Sequence, residues 1–352
     1  MAGITREAIA AIGAERPSDW RLEARGHAAR LPPAAGALRR VLEGPEMAKL
    51  IATYEAADRA AGRAQATYRR WSRAAYLCRF LAISIGAVAL LQLVGAMPKW
   101  LAGIGLGVEY GLIALSLVFA VLLSLRLPFE QWMEHRARAE TARIDYFNRV
   151  CEAEEPSGPG ELPLLPLQLE YFRRYHLDVQ RLFYRERGLE HARGAGHTRA
   201  WRLATVALVV VAAIPASLGF LGAWAQPLLP PALARAAELV RGEVVHTLLL
   251  VLGIVATALA DLVSAVSLVS LDQRNAARYL KNADNLDFLA GDYLEDARAA
   301  AAAGDARKVD DFISLVQSYI SSEHREWMLA RDLAQNLTLE NFAQLRLPRR
   351  RR

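Results

Sequence analysis

Apolar and charged positions segregate along this chain into blocks, and four of the blocks are almost purely apolar. Phe80 to Met97 has no charged residue in eighteen positions, and Trp100 to Leu125 has one, Glu109. Leu203 to Ala234 has none, and Val244 to Leu271 has one, Asp261. A hydrocarbon core of about 30 Å takes about 20 apolar residues in a helix, so unbroken runs of this length are the pattern of spanning segments. The four runs form two closely spaced pairs. They predict an all-α integral membrane protein with four transmembrane helices arranged as two hairpins, with long cytoplasmic helices attached.

The polar blocks carry no strand-like alternation. Residues 46–79 lack proline and lead straight into the first run, and 129–154 follow Pro128. Residues 167–202 feed the third run, 272–303 continue the fourth as far as a break near Gly304-Asp305, and 306–340 make a last helix. Met97-Pro98-Lys99 leaves almost no loop in the first pair. The second pair is looser, with Pro227, Pro230 and Pro231 before a short interfacial helix. The predicted organisation is a loosely ordered arm over 1–47, holding Pro17, Pro32, Pro33 and Pro45. A first helix-hairpin-helix unit follows over 48–155, with spans at about 80–97 and 100–125. A linker over 156–166 leads to a second such unit over 167–340, with spans at about 203–226 and 244–270, and a basic tail over 341–352. Each half has a basic helix leading in, two spans and a polar helix leading out, an architectural self-similarity without evident residue identity.

Charge sets the orientation. Arg69, Arg70, Arg73 and Arg79 precede the first span, and Arg126, Arg136, Arg138 and Arg143 follow the second. Arg185, Arg187, Arg193, Arg199 and Arg202 precede the third, and Arg274, Arg278 and Lys281 follow the fourth. The opposite loops hold few basic residues. Under the positive-inside bias both termini and the middle are cytoplasmic. Of 43 basic residues all but Lys49, Lys99, Lys281 and Lys308 are arginine, a skew expected of a GC-rich bacterial genome, which points to a bacterial inner membrane. The net charge of +6 then reflects span flanks rather than a nucleic-acid partner. Cys78 and Cys151 both lie in arginine-rich segments assigned to the cytoplasm, where a disulfide framework is not expected. Residues 1–47 show no signal-peptide core, so the first span is expected to act as its own insertion signal.

Enzyme chemistry has no visible carrier. There is no HExxH, no phosphate-binding GxxxxGK[ST] and no paired CxxC, and neither a cofactor nor a metal is expected. His191 and His197 are six apart, off one helical face and without acidic company. Gly103, Gly107 and Gly111 recur every four residues inside a span, the spacing of a close helix–helix contact rather than of a nucleotide loop. The intramembrane acids are sharper, because a charge in hydrocarbon costs about 2.5–3.5 kcal/mol even on insertion scales and so faces a bundle interior or water. His246, Thr257, Asp261 and Ser264 follow three- and four-residue steps along the fourth run, with Gly253 between them. They make a polar stripe that either lines an aqueous path in an oligomer or glues helices together, and a span that simply ends at Asp261 is the third reading. Glu109 lies nine residues into the second run, where Gln92 of the first is a candidate partner. Pro215 is expected to kink the third span.

The cytoplasmic helices resemble the SLATT family, two-transmembrane effector domains associated with nucleotide-sensing and SLOG-type proteins in bacterial conflict systems. Tyr68, Arg69 and Arg70 lead into the first hairpin. Trp132, Arg136 and Glu140 with Tyr146-Phe147 resemble the family's helix after a hairpin. Tyr171, Tyr175, Gln180, Phe183, Tyr184 and His191 resemble its helix before one, and Phe312, Val316, Glu323 and Trp327 its closing element. The resemblance spans roughly 55–335 and rests on structural rather than active-site signatures. It implies a membrane effector that forms or gates a pore, in defence or stress response, when a partner detects a nucleotide signal. No SLOG or other sensor domain is attached, so the trigger is expected from a separate protein. The expected partners are the lipid bilayer, further copies of the chain and that sensor. A non-conducting adaptor that recruits partners through its helices is the alternative, and a transporter is a weaker one.

Overall fold

A computed structural model describes residues 2–12, 22–225, 230–240 and 242–321. No strand occurs among the described residues, and four helices are long and apolar enough to cross a membrane. The protein is an all-α, multi-pass membrane protein. Its chain divides into two compact units. Unit 1 is drawn from 1–64, 129–189 and residues from 277 on, and unit 2 from 65–128 and 190–276.

Unit 1 begins with α1 (Ala2–Ala10), α2 (Ala24–Arg30) and α3 (Gly36–Glu43). The expected loose arm over 1–47 is corrected here. Ile9, Ile12, Ala28, Leu38 and Leu42 are all at most 1 % exposed and belong to the main core. Pro33 and Pro45 misled because they open helical segments instead of preventing them, while Pro17 lies outside the described residues. Pro33 starts a 3₁₀ turn and Pro45 is the first residue of α4 (Pro45–Ala89), a position where the missing N–H has no helical partner to lose. The linker is also docked. Arg40 of α3 donates to Glu155, Glu161 and the Pro156 carbonyl, and the Leu162 N–H donates to the Ala34 carbonyl at 2.7 Å. The carboxylates around Arg40 push its pKa up, with the Glu161 hydrogen bond the largest cause.

The centre of unit 1 is α7 (Leu164–Phe172), which packs against α1, α3 and α12 (Leu294–Ala303). Residues 167–172 are all buried, polar members included, which is the behaviour of a helix surrounded on every side. Its polar groups are therefore all bonded. The Gln168 amide donates to the Val150 and Ala153 carbonyls, both at 2.8 Å, covering acceptors left open at the end of α6 (Pro128–Glu152). Tyr171 joins its hydroxyl to His27 and to Tyr146, each at 2.8 Å. Glu170, 5 % exposed at its side chain, accepts from Arg173 at 2.7 Å and from Arg298 at 2.5 Å. Burial pushes the Glu170 carboxyl up, but the two guanidinium groups outweigh it and hold its pKa below the usual value.

After α7 the chain widens into one π turn, Arg173–Leu177, before α8 (Asp178–Ala225). His176 lies in that turn, wholly buried, stacked on Phe147 at 4.2 Å and with no hydrogen-bond partner for either ring nitrogen. Burial, then the nearby Arg143, lower its pKa well below the ordinary histidine value. Both free cysteines are buried, and burial pushes the Cys151 thiol up, away from reactivity.

Unit 2 holds the apolar segments. The first hairpin turns through a 3₁₀ segment, Leu90–Val94, and Gly95 at φ 71°, where glycine carries no steric penalty. α5 (Lys99–Arg126) returns, and Leu127 at φ 45° separates it from α6. The second hairpin comprises the later part of α8, the short α9 (Pro231–Val240) and α10 (Glu243–Ser270). Pro215 lies inside α8, which continues on both sides of it. The fourth span does not continue directly into the next helix, as the sequence suggested. Leu271 at φ 53° breaks it, α11 (Asp272–Asp292) starts immediately, and Tyr293 separates α11 from α12. The break at Gly304 is present, at φ 77°, and α13 covers 306–321. The two outgoing spans match closely. α5 and α10 each have 28 residues and each end on a left-handed leucine whose N–H returns to the carbonyl four residues back.

Two measurements follow from the buried charges of unit 1. Glu170→Gln removes the buried anion that Arg173 and Arg298 share and leaves them only the more exposed Asp178 and Glu295, and thermal unfolding in detergent should show a loss of about 3 kcal/mol. An unchanged melting temperature would mean that solvent already serves those cations. For His176 the folded pKa is depressed, so the unfolded chain takes up a proton first as pH falls through about 6.5. Stability should drop by about 1.4 kcal/mol per pH unit below that value. His176→Phe should flatten this slope between pH 6.5 and 5 in calorimetric scans, and identical slopes would remove His176 as its source.

Candidate functional site

The clearest concave feature of unit 2 is a cleft of about 770 Å³ between α4, α8 and α10. Ile83 of α4, Val209, Ala212, Ala213 and Ala216 of α8, and Leu249, Leu250 and Ile254 of α10 make its apolar walls. α10 faces α8 at Gly253, where a Cβ would stand in ordinary contact, 3.7 Å from that of Ala212. Four polar side chains line the cleft, Arg79, Thr257, Asp261 and Ser264.

The Asp261 carboxylate meets the Arg79 guanidinium at 3.4 Å, and both side chains are largely exposed, at 59 % and 60 %. Arg79 was legible only as one of the orienting charges before the first span. It is the residue immediately before the run Phe80–Met97. Asp261 thus lies beside the start of span one, and Val244–Ala260, at 1.5 Å per residue, covers about 25 Å before reaching it. The pairing also lowers the cost of each charge near hydrocarbon. Thr257 turns its hydroxyl back to the Gly253 carbonyl at 2.8 Å while remaining exposed, and Ser264 is half-buried. His246 is exposed and lies outside the cleft. Three members of the predicted stripe are therefore brought together and the fourth is not.

The predicted packing face of the second span is corrected. Gly103, Gly107 and Gly111 are exposed, and a Cβ at any of them would meet nothing within 4 Å. Among the described residues no helix closes on that face. The glycine that does admit a neighbour is Gly86 of α4, where a Cβ would lie 2.6 Å from the Glu109 carboxylate. Glu109 thus rests half-buried against the bare backbone of α4, and no hydrogen bond joins it to Gln92, which is also half-buried. Further along the same pair, the Ser116 hydroxyl donates to the Ala75 carbonyl at 3.0 Å. Gly86 lies in a run so rich in small residues that its spacing carries no distinguishing signal.

The remaining described motif residues make contacts within their own unit. In unit 1, Trp132 makes an edge contact with Phe129 at 5.8 Å, and Arg136 bridges Asp58 at 3.4 Å and Glu140 at 2.7 Å. Glu140 also pairs with Arg143, which donates to Gln180 at 2.7 Å when that amide turns its oxygen inward. Tyr184 is buried against Tyr279 at 5.7 Å. In unit 2, His191 Nδ1 meets Asp272 at 2.7 Å, and a Cβ on Gly194 would strike the same carboxylate. Glu323 and Trp327 lie outside the described residues. Among the described residues no three His, Cys, Asp or Glu side chains converge as metal ligands would.

Comparison with family models, with curated proteins and with solved structures finds no match for this chain. The functional reading therefore rests on the residues and their geometry.

The Gly86–Glu109 contact makes a direct test of the first hairpin. Gly86→Val should force the carboxylate away and cost about 1–3 kcal/mol through overpacking. Gly86→Val with Glu109→Ala should recover most of that loss in thermal unfolding. Equal melting temperatures for the wild type and the single variant would show that α4 and α5 do not approach there.

Proposed function

We propose that the protein is an oligomeric membrane effector of the SLATT type that passes ions when a separate sensor acts on its cytoplasmic helices. The observation that carries this reading is the exposed polar edge of α10. Thr257 and Asp261 stand open on a helix otherwise suited to lipid, and such groups are costly unless water or another subunit covers them. Copies of the chain associating over this edge would supply that cover and enclose a path. Arg79 is then the gate of the path, neutralising Asp261 while the two remain paired. α4 and α8, each a single helix of 45 or 48 residues with a polar and an apolar part, are the elements through which a docked sensor would shift that pair.

In this reading the chain lies in a bacterial inner membrane with both termini in the cytoplasm, as the arginine-rich flanks favour. It acts in defence or stress response and carries out no catalysis itself. The Arg79–Asp261 pair also favours a second reading, because an acid already neutralised within the chain needs no aqueous path. The protein is then a non-conducting adaptor, and the pair is only a contact between α4 and α10.

Flux from dye-loaded liposomes separates the two. Conduction predicts leakage that rises steeply with protein density, increases in Arg79→Gln and falls to the level of empty liposomes in Asp261→Leu. Leakage equal in wild type and Asp261→Leu removes Asp261 from the path. Absence of leakage from Arg79→Gln at every density leaves the adaptor.

A further inference from the structure

We infer that the cleft of unit 2 is a phospholipid site whose charged pair receives a phosphoethanolamine headgroup. Its volume of about 770 Å³ is that of a small-molecule site, and such sites are mostly apolar with a few placed polar groups. The wall formed by Ala212, Ala213 and Ala216 of α8 is shallow because the side chains end at Cβ. Opposite stand the larger Leu249, Leu250 and Ile254. The apolar part of this slot fits an acyl chain, and the polar groups of its lining, the hydroxyls of Thr257 and Ser264 and the charged pair, are few.

The charges define the headgroup. Arg79 precedes the first apolar run, so the pair lies at the depth where headgroups meet hydrocarbon. A guanidinium presents a planar fork to a phosphate, and a carboxylate accepts N–H bonds from a primary ammonium. The pair itself is loose at 3.4 Å, against about 2.7–2.9 Å for a tight charge-assisted bond, so each member keeps capacity for a further partner. A headgroup bearing both phosphate and primary ammonium, laid antiparallel to the pair, satisfies both at once. Phosphatidylglycerol lacks the cation and sets its phosphate against Asp261. Phosphatidylcholine has the right charges, but its quaternary ammonium has no N–H to donate. Binding does not depend on conduction. Under the proposed function the lipid occupies the site in the non-conducting state.

The test uses full-length protein in mild detergent, stripped of lipid and offered equimolar phosphatidylethanolamine, phosphatidylcholine and phosphatidylglycerol. Native mass spectrometry reads the lipid retained, and thermal unfolding reads its effect. Phosphatidylethanolamine should be retained about fivefold over the other two, the value of one exposed charged contact, and it alone should raise the melting temperature. Asp261→Asn should bring the three lipids to parity, and Arg79→Gln, which loses the phosphate contact common to all three, should lower the total retained. Equal retention of all three by the wild type, or an undiminished preference in Asp261→Asn, overturns the assignment. The wild-type comparison needs no variant to fold. Flux is read separately, so selective retention without leakage sinks conduction alone, and leakage without selective retention sinks the lipid site alone.

Discussion

Hydrocarbon offers a peptide group no hydrogen-bonding partner outside its own helix, and the arrangement of unit 2 follows from that constraint. In α5 and α10 the backbone irregularities are confined to the helix ends. Gly95, Leu127 and Leu271, the described residues of unit 2 with positive φ, each fall within two positions of the end of a run. Within α5 and α10 the helical ladder is unbroken, and α8 continues through Pro215. The same constraint explains the small number of polar side chains along the spans. Thr257 returns its hydroxyl to its own helix, Ser116 bonds the neighbouring one, and Asp261 faces Arg79.

Unit 1 solves the opposite problem. It has water around it and buries polar groups deliberately, so each needs a named partner. α7 is the case in point: Gln168 serves the end of α6, Glu170 holds two arginines, and Tyr171 links His27 to Tyr146. These bonds contribute modestly to net stability, yet losing one partner exposes the desolvation cost of the other. Exceptions remain, such as the amide nitrogens of Asn282 and Gln317, and His176 is the fullest, a polar ring with neither nitrogen bonded. Its position in a π turn, where the helical ladder is already displaced, places the ring against Phe147 rather than beside a carbonyl.

The four spans were readable from sequence because spanning depends on composition over a long window, and no single neighbour can alter it. The helical character of the polar blocks was readable for a similar reason. Contacts were not. Asp261 stood out as an acid in an apolar run, but Arg79 is far from it in sequence and had already been explained as an orienting charge. Gly103, Gly107 and Gly111 had the better spacing, whereas Gly86 has the neighbour. Spacing shows which residues share a face and is silent about what that face meets. The amino-terminal helices were hidden differently, because Pro33 and Pro45 were read as breaks when they are starts.

The two corners at Leu127 and Leu271 show how much sequence can change beneath one architecture. A non-glycine residue in the left-handed region costs about 1–2 kcal/mol, so glycine would be the simpler choice at either place. At the first corner the cause is local: Pro128 disfavours the right-handed helical conformation at the residue before it, and it suits the first position of α6. The second corner has no proline. There Asp272 opens α11, where an acid suits the helix dipole, and its carboxylate is fixed by His191 and by the close approach of Gly194. One corner is set by a ring in the backbone and the other by a side-chain contact to α8. The backbone result is the same, with a 28-residue span, one left-handed leucine and an immediate helical restart. Two halves that share an architecture without sharing residues are expected to differ in this way, because the bilayer constrains where a helix must end and leaves open the chemistry that ends it.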